Sequence, residues 1–551
     1  MNYNRLFLIA TQILLSIGGL FLQGSAPTDH ADEKMRSTII RIGSNYRIYP
    51  SNITQTETFI TRHPSNPDIL FASANTINLA TGFVSEGVYV TTNRGASWFG
   101  SDTCKGNPIT FHSGDPGIAI DKDGRFLLIR LGTTPGLYSH FSTDNGLTWS
   151  GQRTVAIDDQ YRATLASDGN PTSGFYGRSY AVWIRFSPPY PAVFSYTNDG
   201  GNTWASITQV NAPAASQLGA GGEIAMGLNG MVNVCWARAI SISPFTEDFV
   251  GFASSTNGGT SWFVRENAFD MNGIKGMLAQ KGNIRADGLP RIDVDKSGGL
   301  RNGWIYITTT QRNLTPAGTD PDIILNRSSD GGTTWSSGIR VNQDAVNNGK
   351  IQYFPAIHVD DGGGVNVIYY DDRATTTDSA YVTLSRSTDG GTTWADYKIS
   401  DHNFKPAPIS GLGAGYQGDN IGLTSVGDTL WPVWMDNSSG IYQVWTVPID
   451  IPELGTDVQE EPLPTSFTLR QNYPNPFNPS TVIEYELPRA GFVRLSVHDI
   501  TGKEVALLAN GGHAAGRHRV EFNATGLSSG IYLYRLSAGD KTVARSMLLL
   551  R

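Results

Sequence analysis

One eight-residue pattern occurs six times between residues 91 and 394. It reads hydroxyl-x-Asp/Asn-x-Gly-x-Ser/Thr-Trp, and the last copy, residues 387–394, has the sequence STDGGTTW. We call each copy a box. The boxes end at tryptophans that lie 51, 55, 58, 73 and 59 residues apart. Periods of this length are typical of repeat architectures in which each repeat is one supersecondary unit.

Each period contains the same succession of short strands. In the second period, residues 117–120 (GIAI) and 126–129 (FLLI) flank a tight turn, and a third strand leads into the box. A short fourth strand leaves the box. Four strands per period predict an all-β fold, a β-propeller whose sheets pack face to face around an axis. The 62 glycines and 57 aromatic Trp, Tyr and Phe residues agree with many short strands and tight turns.

A seventh set of strands follows the last box. Residues 420–424, 429–434 and 441–446 are strand-like, but no box follows them. The run from Ser37 to Ile48 could supply the missing outer strand and close the ring by pairing the two chain ends. We therefore predict seven blades over residues 37–449, with six blades as the alternative.

The box residues suit a structural role. An Asp side chain in such a turn accepts backbone N–H groups, Gly adopts angles that other residues avoid, and Trp packs against the neighbouring sheet. Asn replaces Asp in two copies, which a turn tolerates and an acid catalyst would not. The residues given this role are Asn93, Trp98, Asp144, Trp149, Asp199, Trp204, Asn257, Trp262, Asp330, Trp335, Asp389 and Trp394.

This pattern is that of the Asp-box, or bacterial neuraminidase repeat, and residues 45–450 resemble the sialidase-like superfamily. The resemblance implies a propeller, whereas its members include enzymes, binding proteins and assembly factors. Sialidases of the family hold a substrate carboxylate with three arginines and use a Tyr–Glu nucleophile with an Asp acid/base. Their first arginine lies in an aromatic-Arg-Ile-Pro motif. The nearest stretch here, residues 46–50 (YRIYP), is interrupted by Tyr49.

The boxes also indicate which face of the propeller carries function. They are expected between third and fourth strands, so the opposite face is formed by the starts of first strands and the ends of second strands. We call it the front face. Its polar residues either hold a sugar acid or form a rim of mutually paired charges. The candidate ligand-binding residues are Asp115, Arg162, Arg185, Glu223, Arg238, Arg291, Tyr353, Asp372, Arg373, Tyr416 and Asp419, and Glu57 shares their placement.

The N-terminus has the pattern of an export signal. Residues 1–5 carry positive charge, residues 6–22 are largely apolar, and residues 24–26 (GSA) are small. We predict a Sec signal peptide over 1–26, followed by an irregular segment over 27–36. A transmembrane anchor is the alternative, but the apolar run is short and interrupted, so no stable anchor is expected in the mature chain.

The C-terminal part forms a separate unit. Residues 450–466 are rich in Pro and Glu and predict an extended linker. Residues 467–551 alternate apolar and polar side chains, which predicts a small Ig-like antiparallel β-sandwich. A carbohydrate-binding sandwich is one possible role.

Three segments of this unit carry a second resemblance. Residues 471–481 (QNYPNPFNPST), 497–503 (VHDITGK) and 527–532 (LSSGIY) look like the C-terminal sorting domain of the type IX secretion system, type A. The resemblance implies a Bacteroidota-like, two-membrane bacterium. It also implies that secretion machinery recognises residues 467–551 and moves the chain from the periplasm to the outer surface or the medium.

Charge and ligand-type residues exclude several functions. The net charge of -8 and the lack of a basic face argue against nucleic acid. Residues 293–298 (DVDKSG) resemble half a calcium loop, but Trp304 stands where a bidentate Glu is needed, so we expect a turn there and no metal or cofactor. Cys104 and Cys235 are either buried thiols or a bridge between distant repeats.

Two functions follow from these observations. The first is a non-catalytic propeller at the cell surface that binds an extracellular glycan or protein, which the sequence favours slightly. The alternative is an exo-sialidase or related glycoside hydrolase, and the sequence leaves open whether the chain is an enzyme. Three arginines converging in a pocket with a Tyr–Glu pair would favour the enzyme.

Overall fold

A computed structural model describes residues 40–106, 112–214, 216–242, 245–451, 466–489, 491–513 and 516–550. These residues divide into two compact units, one within Thr38–Glu453 and the other within Leu454–Arg551. The predicted signal peptide, the segment 27–36 and nearly all of the predicted linker lie outside the described residues.

The regular elements of the first unit are almost all short antiparallel strands joined by turns and loops. Two 3-10 turns, Leu228–Gly230 and Ala279–Lys281, interrupt them. The strands are β1 (Arg41–Ile42), β2 (Tyr46–Arg47), β3 (Thr54–Arg62), β4 (Leu70–Asn78), β5 (Phe83–Thr91), β6 (Phe99–Ser101), β7 (Gly117–Ile120), β8 (Phe126–Leu131), β9 (Gly136–Ser142), β10 (Arg153–Ile157), β11 (Thr164–Ser167), β12 (Ser179–Ile184), β13 (Ala192–Thr197), β14 (Thr208–Gln209), β15 (Gln217–Met226), β16 (Val232–Ile240), β17 (Glu247–Ser255), β18 (Phe263–Asp270), β19 (Gly276–Leu278), β20 (Ile284–Ala286), β21 (Arg291–Val294), β22 (Ile305–Gln311), β23 (Asp322–Ser328), β24 (Ile339–Arg340), β25 (Gln352–Val359), β26 (Val365–Asp371), β27 (Tyr381–Ser387), β28 (Ala395–Lys398), β29 (Gly422–Val426), β30 (Thr429–Asp436), β31 (Gln443–Thr446) and β32 (Ile449–Asp450).

These strands form successive four-stranded sheets arranged in a ring. The sheets are β3-β4-β5-β6, β7-β8-β9-β10, β11-β12-β13-β14, β15-β16-β17-β18, β21-β22-β23-β24, β25-β26-β27-β28 and β29-β30-β31-β2, and we number them one to seven. The first strand of each sheet contacts the first strand of the next, and β29 contacts β3. The fold is therefore a β-propeller. Its box-less last module forms a sheet of its own.

The two chain ends meet in sheet seven. Strand β2 pairs with β31, so that Tyr46 lies opposite Thr446 and Arg47 opposite Trp445, and β1 pairs with β32. The N-terminal run therefore supplies the outer strand, as predicted. Because β2 is the outermost strand of its sheet, Arg47 lies far from the first strands. The arginine that the sialidase motif suggested does not reach the front-face centre.

The boxes form one repeated hydrogen-bond arrangement. In the fifth sheet Ser328 Oγ donates to Asp330 Oδ1 (2.8 Å) and accepts the Gly332 N–H (2.9 Å), while Asp330 accepts the Thr334 N–H (2.9 Å) and hydroxyl (2.7 Å). The bonds from Thr334 hold the pKa of Asp330 below its usual value. The carboxylate is thus occupied by its own turn.

The two Asn boxes preserve this arrangement. Asn257 Oδ1 accepts the Ser255 hydroxyl (2.9 Å) and the Ser261 N–H (2.9 Å), and Asn257 Nδ2 donates to Ser261 Oγ (2.7 Å). Asn93 makes the same three bonds with Thr91 and Ser97. The structural role predicted for the boxes agrees with these contacts.

Box tryptophans pack on the preceding sheet. Trp262 meets Phe194 edge to face at 5.0 Å between ring centroids, and Trp335 meets Phe252 at 5.2 Å. The box glycine is also required there. Gly332 has φ of 89°, and a Cβ on it would lie 2.0 Å from the Phe252 ring. Each box therefore joins two sheets as well as closing a turn.

A second aspartate staple closes the turn after several first strands. Asp295 accepts the Ser297 N–H at 2.9 Å, and Asp360 accepts those of Gly362 (3.0 Å) and Gly364 (2.9 Å). The calcium-like residues 293–298 belong to this turn. In the described part of the chain, no three His, Cys, Asp or Glu side chains are placed to hold a metal ion. Cys104 and Cys235 are buried free thiols, so the proposed bridge between them is wrong.

The second unit is a small antiparallel sandwich, as predicted. Its strands are β33 (Thr468–Leu469), β34 (Ser480–Leu487), β35 (Gly491–His498), β36 (Glu504–His513), β37 (Gly516–Asn523), β38 (Gly530–Ala538) and β39 (Lys541–Leu549). They form the sheets β33-β34-β37 and β36-β35-β38-β39. Alternating residues such as Val493, Leu495 and Val497 enclose a separate core with Tyr485 and Tyr534.

Candidate functional site

Backbone irregularities on the front face bring charged side chains together. In β3, Glu57 and Thr58 lie opposite a single residue of β4, and Glu57 has φ of 52°. A similar bulge precedes Glu223 in β15, and Asp115, just before β7, has φ of 56°. Bulges of this kind re-aim side chains and are frequent beside functional sites.

Glu223 lies at the centre of an ion-pair cluster between three sheets. Its Oε1 accepts Arg162 Nη2 at 2.9 Å and Arg291 Nη1 at 3.2 Å. The arginine side chains are 4% and 8% exposed, and that of Glu223 is 14% exposed. Burial alone would lower the pKa of Arg162, but Glu223 and Asp419 raise it, so the guanidinium stays charged. Glu223 and Arg291 also line a cavity of about 700 Å³ along the first strands.

A second hydrogen-bond network adjoins the ion pairs. The Tyr416 hydroxyl lies 3.1 Å from Thr56 Oγ1, and Asn75 Nδ2 donates to Tyr416 (3.1 Å) and to Asp115 Oδ1 (3.2 Å). Burial raises the pKa of Glu57 well above its usual value, and Asp419 and Asp115 raise it further. Burial also raises the pKa of Asp115. These carboxyl groups keep their protons at a higher pH than exposed ones.

Two further residues complete the cluster from a hairpin. Asp287 has its pKa raised to about 8 by burial and by its neighbours Asp419 and Glu247. Arg285 Nη2 lies 3.6 Å from Asp419 Oδ2, and its guanidinium lies over the Tyr416 ring at 5.6 Å. The Arg285 side chain is 47% exposed, so it is the cation of this cluster that reaches solvent.

An aromatic patch lies beside the cluster. Phe186 is 56% exposed, its ring stacks on Tyr161 at 6.4 Å, and Tyr190 meets it edge to face at 5.6 Å. Tyr161 precedes Arg162 in the chain, and Arg185 precedes Phe186. We call Tyr161, Phe186 and Tyr190 the aromatic patch. An apolar platform next to fixed donors and acceptors can bind a ring that has both an apolar face and polar substituents.

The structure brings most of the sequence-predicted candidates together. Arg185 is half-buried and directly precedes Phe186 of the aromatic patch in the chain. The candidates in the cluster itself are Asp115, Arg162, Glu223, Arg291, Tyr416 and Asp419, with Glu57 beside them.

Besides Arg185, four candidates lie outside this cluster. Tyr353 is fully buried in the core against Tyr370. Asp372 binds the Lys281 ammonium at 2.6 Å, Arg373 pairs with Asp371 and Asp396, and Arg238 pairs with Asn267. Tyr353 and Asp372 are covered by the hairpin β19–β20, whose Leu278 and Ile284 pack on the same core. These four residues therefore lie away from the cluster.

Sequence reasoning missed Tyr161, Phe186, Arg285 and Asp287. The hairpin that carries Arg285 and Asp287 lies in the 73-residue interval between Trp262 and Trp335, which is the longest of the series. That excess length was the available signal. The sequence around Phe186 carries no comparable signal, because an apolar residue at a strand end fits the same pattern whether it is buried or exposed.

Three arginines converging in a pocket with a Tyr–Glu pair would favour an enzyme. The structure has residues of these types at the cluster, but not in that arrangement. Arg162, Arg285 and Arg291 surround the cluster, and Tyr416 lies beside Glu57. Arg162 and Arg291 both bind the same Glu223 carboxylate, each through one Nη atom. The site offers hydrogen bonds, one exposed guanidinium and carboxyl groups whose pKa values burial raises, around an aromatic platform.

The comparisons with known proteins concern the two units separately. Residues 471–549 match the family model described as the secretion system C-terminal sorting domain. A search of curated proteins found no match. The C-terminal unit is a sorting domain of the type IX system, and the chain is secreted to the cell surface or the extracellular space. No helix of the described residues is long and apolar enough to cross a bilayer.

Several solved structures are similar to the chain at low identity. A protein of unknown function from Dyadobacter fermentans is 12% identical with a TM-score of 0.44, over 75% of this chain and 99% of that one. An ulvan lyase of family PL25 is 12% identical with a TM-score of 0.48, over 74% and 97%. An α-L-arabinanase from Penicillium chrysogenum is 13% identical with a TM-score of 0.41, over 63% and 98%.

Proposed function

We propose that this protein is a secreted carbohydrate-binding propeller whose ligand lies on the aromatic patch and contacts the charged cluster. The observation that carries the proposal is the exposure of Phe186, 56%, between Tyr161 and Tyr190. Sugar rings present C–H groups on their faces and hydroxyls at their edges. The exposed Phe186 ring stacks on Tyr161, and the Arg285 guanidinium interacts electrostatically with Tyr161, so the patch suits both parts of such a ligand.

The state of the buried charges supports binding rather than catalysis. Arg162 and Arg291 share the single Glu223 carboxylate, at 2.9 and 3.2 Å, and the Tyr416 hydroxyl is held by Thr56 and Asn75. A Tyr416 nucleophile would have to leave its hydrogen bonds to Thr56 and Asn75 before it could act. The network instead fixes the floor of the site rigidly, which lowers the entropy lost on binding.

A glycoside hydrolase is the second candidate, and one observation favours it. Glu57, Asp115 and Asp287 are carboxyl groups whose pKa values burial raises, and Tyr416 lies beside Glu57. Perturbed acids of this kind occur at catalytic sites, although structural networks also produce them. In this proposal the same groups serve only to hold the floor of the site.

The test is binding of the full chain to a panel of neutral and acidic oligosaccharides. Phe186→Ala should reduce binding at least tenfold, whereas Phe263→Ala, a 43% exposed phenylalanine just after a box, should leave it unchanged. Equal binding by both variants would overturn the proposal. Release of product from a bound glycan that is lost in Glu57→Gln and Tyr416→Phe would establish the hydrolase instead.

A further inference from the structure

A hairpin crosses the front face and covers two of its sheets. Residues 271–290 leave sheet four after β18 and return as β21 of sheet five, and between these points β19 and β20 form a hairpin. We call residues 271–290 the strap. Its Ile274, Leu278 and Ile284 are buried in the core that contains Tyr353 and Tyr370 of sheet six.

A buried lysine fixes the strap to sheet six. Lys281 Nζ donates to Asp372 Oδ2 (2.6 Å), to the Thr377 carbonyl (2.6 Å) and to the Ser379 carbonyl (2.9 Å). All three donors of the ammonium are therefore used. A lysine that is 0% exposed and fully bonded holds its hairpin in one position.

A second loop continues the cover over sheet seven. The Arg285 N–H donates to the Gly415 carbonyl at 2.7 Å, and Ala407 N–H donates to Tyr442 Oη at 2.9 Å. The loop that carries Gly415 also supplies Tyr416 to the cluster. Strap and loop together close the front face above sheets six and seven.

The front face is open on the opposite side. Large apolar side chains at the front ends of sheets two to four are exposed: Ile157 69%, Phe186 56%, Ile240 39%, Ile242 74% and Phe245 42%. The aromatic patch belongs to this open half. Arg285 belongs to the strap and Tyr416 to the covering loop, and the two side chains contact each other at the cluster. They therefore mark the boundary between the covered and the open halves.

From this asymmetry we infer that the strap makes the protein recognise the end of a glycan chain. This inference rests on the proposed carbohydrate binding. A chain that lies on Phe186 and Tyr161 can extend outward over sheets three and four, but in the other direction it meets Arg285 and the strap. The terminal sugar would accept hydrogen bonds from the Arg285 guanidinium. An internal segment, which continues in both directions, would collide with the strap.

The test uses a printed array of oligosaccharides in which the same sugar sequence occurs either at a free chain end or capped by a further sugar. Each oligosaccharide is attached to the array in both orientations. The full chain should bind the terminal form at least tenfold more tightly. A variant whose strap residues 276–286 are replaced by Gly-Ser-Gly should bind both forms equally. Arg285→Ala, which leaves the buried anchors intact, should weaken only terminal binding and keep the melting temperature.

The outcomes separate the two proposals. Equal binding of terminal and capped forms by the unaltered chain, with loss in Phe186→Ala, would overturn the strap inference and keep carbohydrate binding. Binding to no printed glycan, or binding indifferent to Phe186→Ala, would overturn both. If the shortened strap fails to fold, unchanged terminal preference in Arg285→Ala would still contradict the inferred role of that guanidinium.

Discussion

The Lys281 ammonium lies 2.6 Å from the Asp372 carboxylate, and the two side chains are 0% and 1% exposed. The pair joins the strap to sheet six, and the Thr377 and Ser379 carbonyls complete its bonding. Replacing one partner of such a pair leaves a buried charge without compensation. Replacing both with apolar residues removes the uncompensated charge, but it leaves the Ile351 N–H, which Asp372 accepts at 2.8 Å, and the two carbonyls without these partners.

We expect Lys281→Met to lower the free energy of unfolding by about 3 to 5 kcal/mol. The double variant with Asp372→Leu should recover part of this loss. Lys405→Met is the matched control, because Lys405 Nζ also lies 2.6 Å from a carboxylate, that of Asp378, but the side chains are 72% and 54% exposed. Denaturant unfolding measures all three. Equal losses for Lys281→Met and Lys405→Met would contradict the account.

Asp287 makes the stability of the propeller depend on pH. Its pKa is raised to about 8 by burial, Asp419 and Glu247, whereas an unfolded Asp titrates near 4. The folded state therefore binds the extra proton between these values, and stability falls as pH rises from about 4 to 8. Asp287→Asn should match the unaltered chain at pH 4 and exceed it in stability at pH 9.

The control for this effect is an exposed acid. The bond to Lys405 lowers the pKa of Asp378 to about 2, so Asp378→Asn should bring no gain in stability between pH 4 and 9. Unfolding in denaturant at both pH values checks the comparison. A difference between Asp287→Asn and the unaltered chain that does not grow with pH would be inconsistent with a buried carboxyl at this position.

Each box should tolerate replacement of its Asp by Asn, but not removal of the hydroxyl group at its first position. Asp330→Asn can place its Nδ2 donor against Thr334 Oγ1, as Asn257 Nδ2 lies 2.7 Å from Ser261 Oγ, so we expect a cost of about 1 kcal/mol or less. Ser328→Ala removes the acceptor of the buried Gly332 N–H and should cost about 1 to 3 kcal/mol. The free energies of unfolding of both variants test these values. A larger loss for Asp330→Asn than for Ser328→Ala would contradict the structural role of the box residues.

The sorting domain should control export and not folding. The sandwich has its own core, separate from those of the propeller. We expect a chain without residues 467–551 to fold as a propeller but to remain in the periplasm, measured by cell fractionation. The full chain is the control. Normal delivery of the truncated propeller to the medium would show that another segment directs export.

Sequence reasoning succeeded where the fold repeats. Each box marks the turn after a third strand, so the boxes indicate which face of the propeller is opposite them. First strands start on that opposite face. Asp115, Arg162, Glu223 and Arg291 lie at or near these starts, and the structure places them together. The same reasoning failed for Tyr353 and Asp372, because the strap covers their sheet. Nothing in a strand pattern indicates which sheet an inserted hairpin will cover.

The aromatic patch shows a second limit. Phe186 follows the second strand of sheet three and Phe194 lies in its third strand, yet Phe194 packs under Trp262 and Phe186 is exposed. Exposure depends on the neighbouring loop, which a local pattern does not contain. The charged residues could be predicted because unpaired charge is rarely buried, whereas an exposed aromatic residue is recognised only in three dimensions.

Hydrogen–deuterium exchange of the full chain, with and without the glycan that binds most tightly in the panel, tests the central claim most directly. Peptides covering residues 157–162, 185–191 and 284–287 should gain protection, and box peptides such as 328–335 should not change. Protection confined to the boxes or to residues 467–551 would contradict a carbohydrate site on the front face.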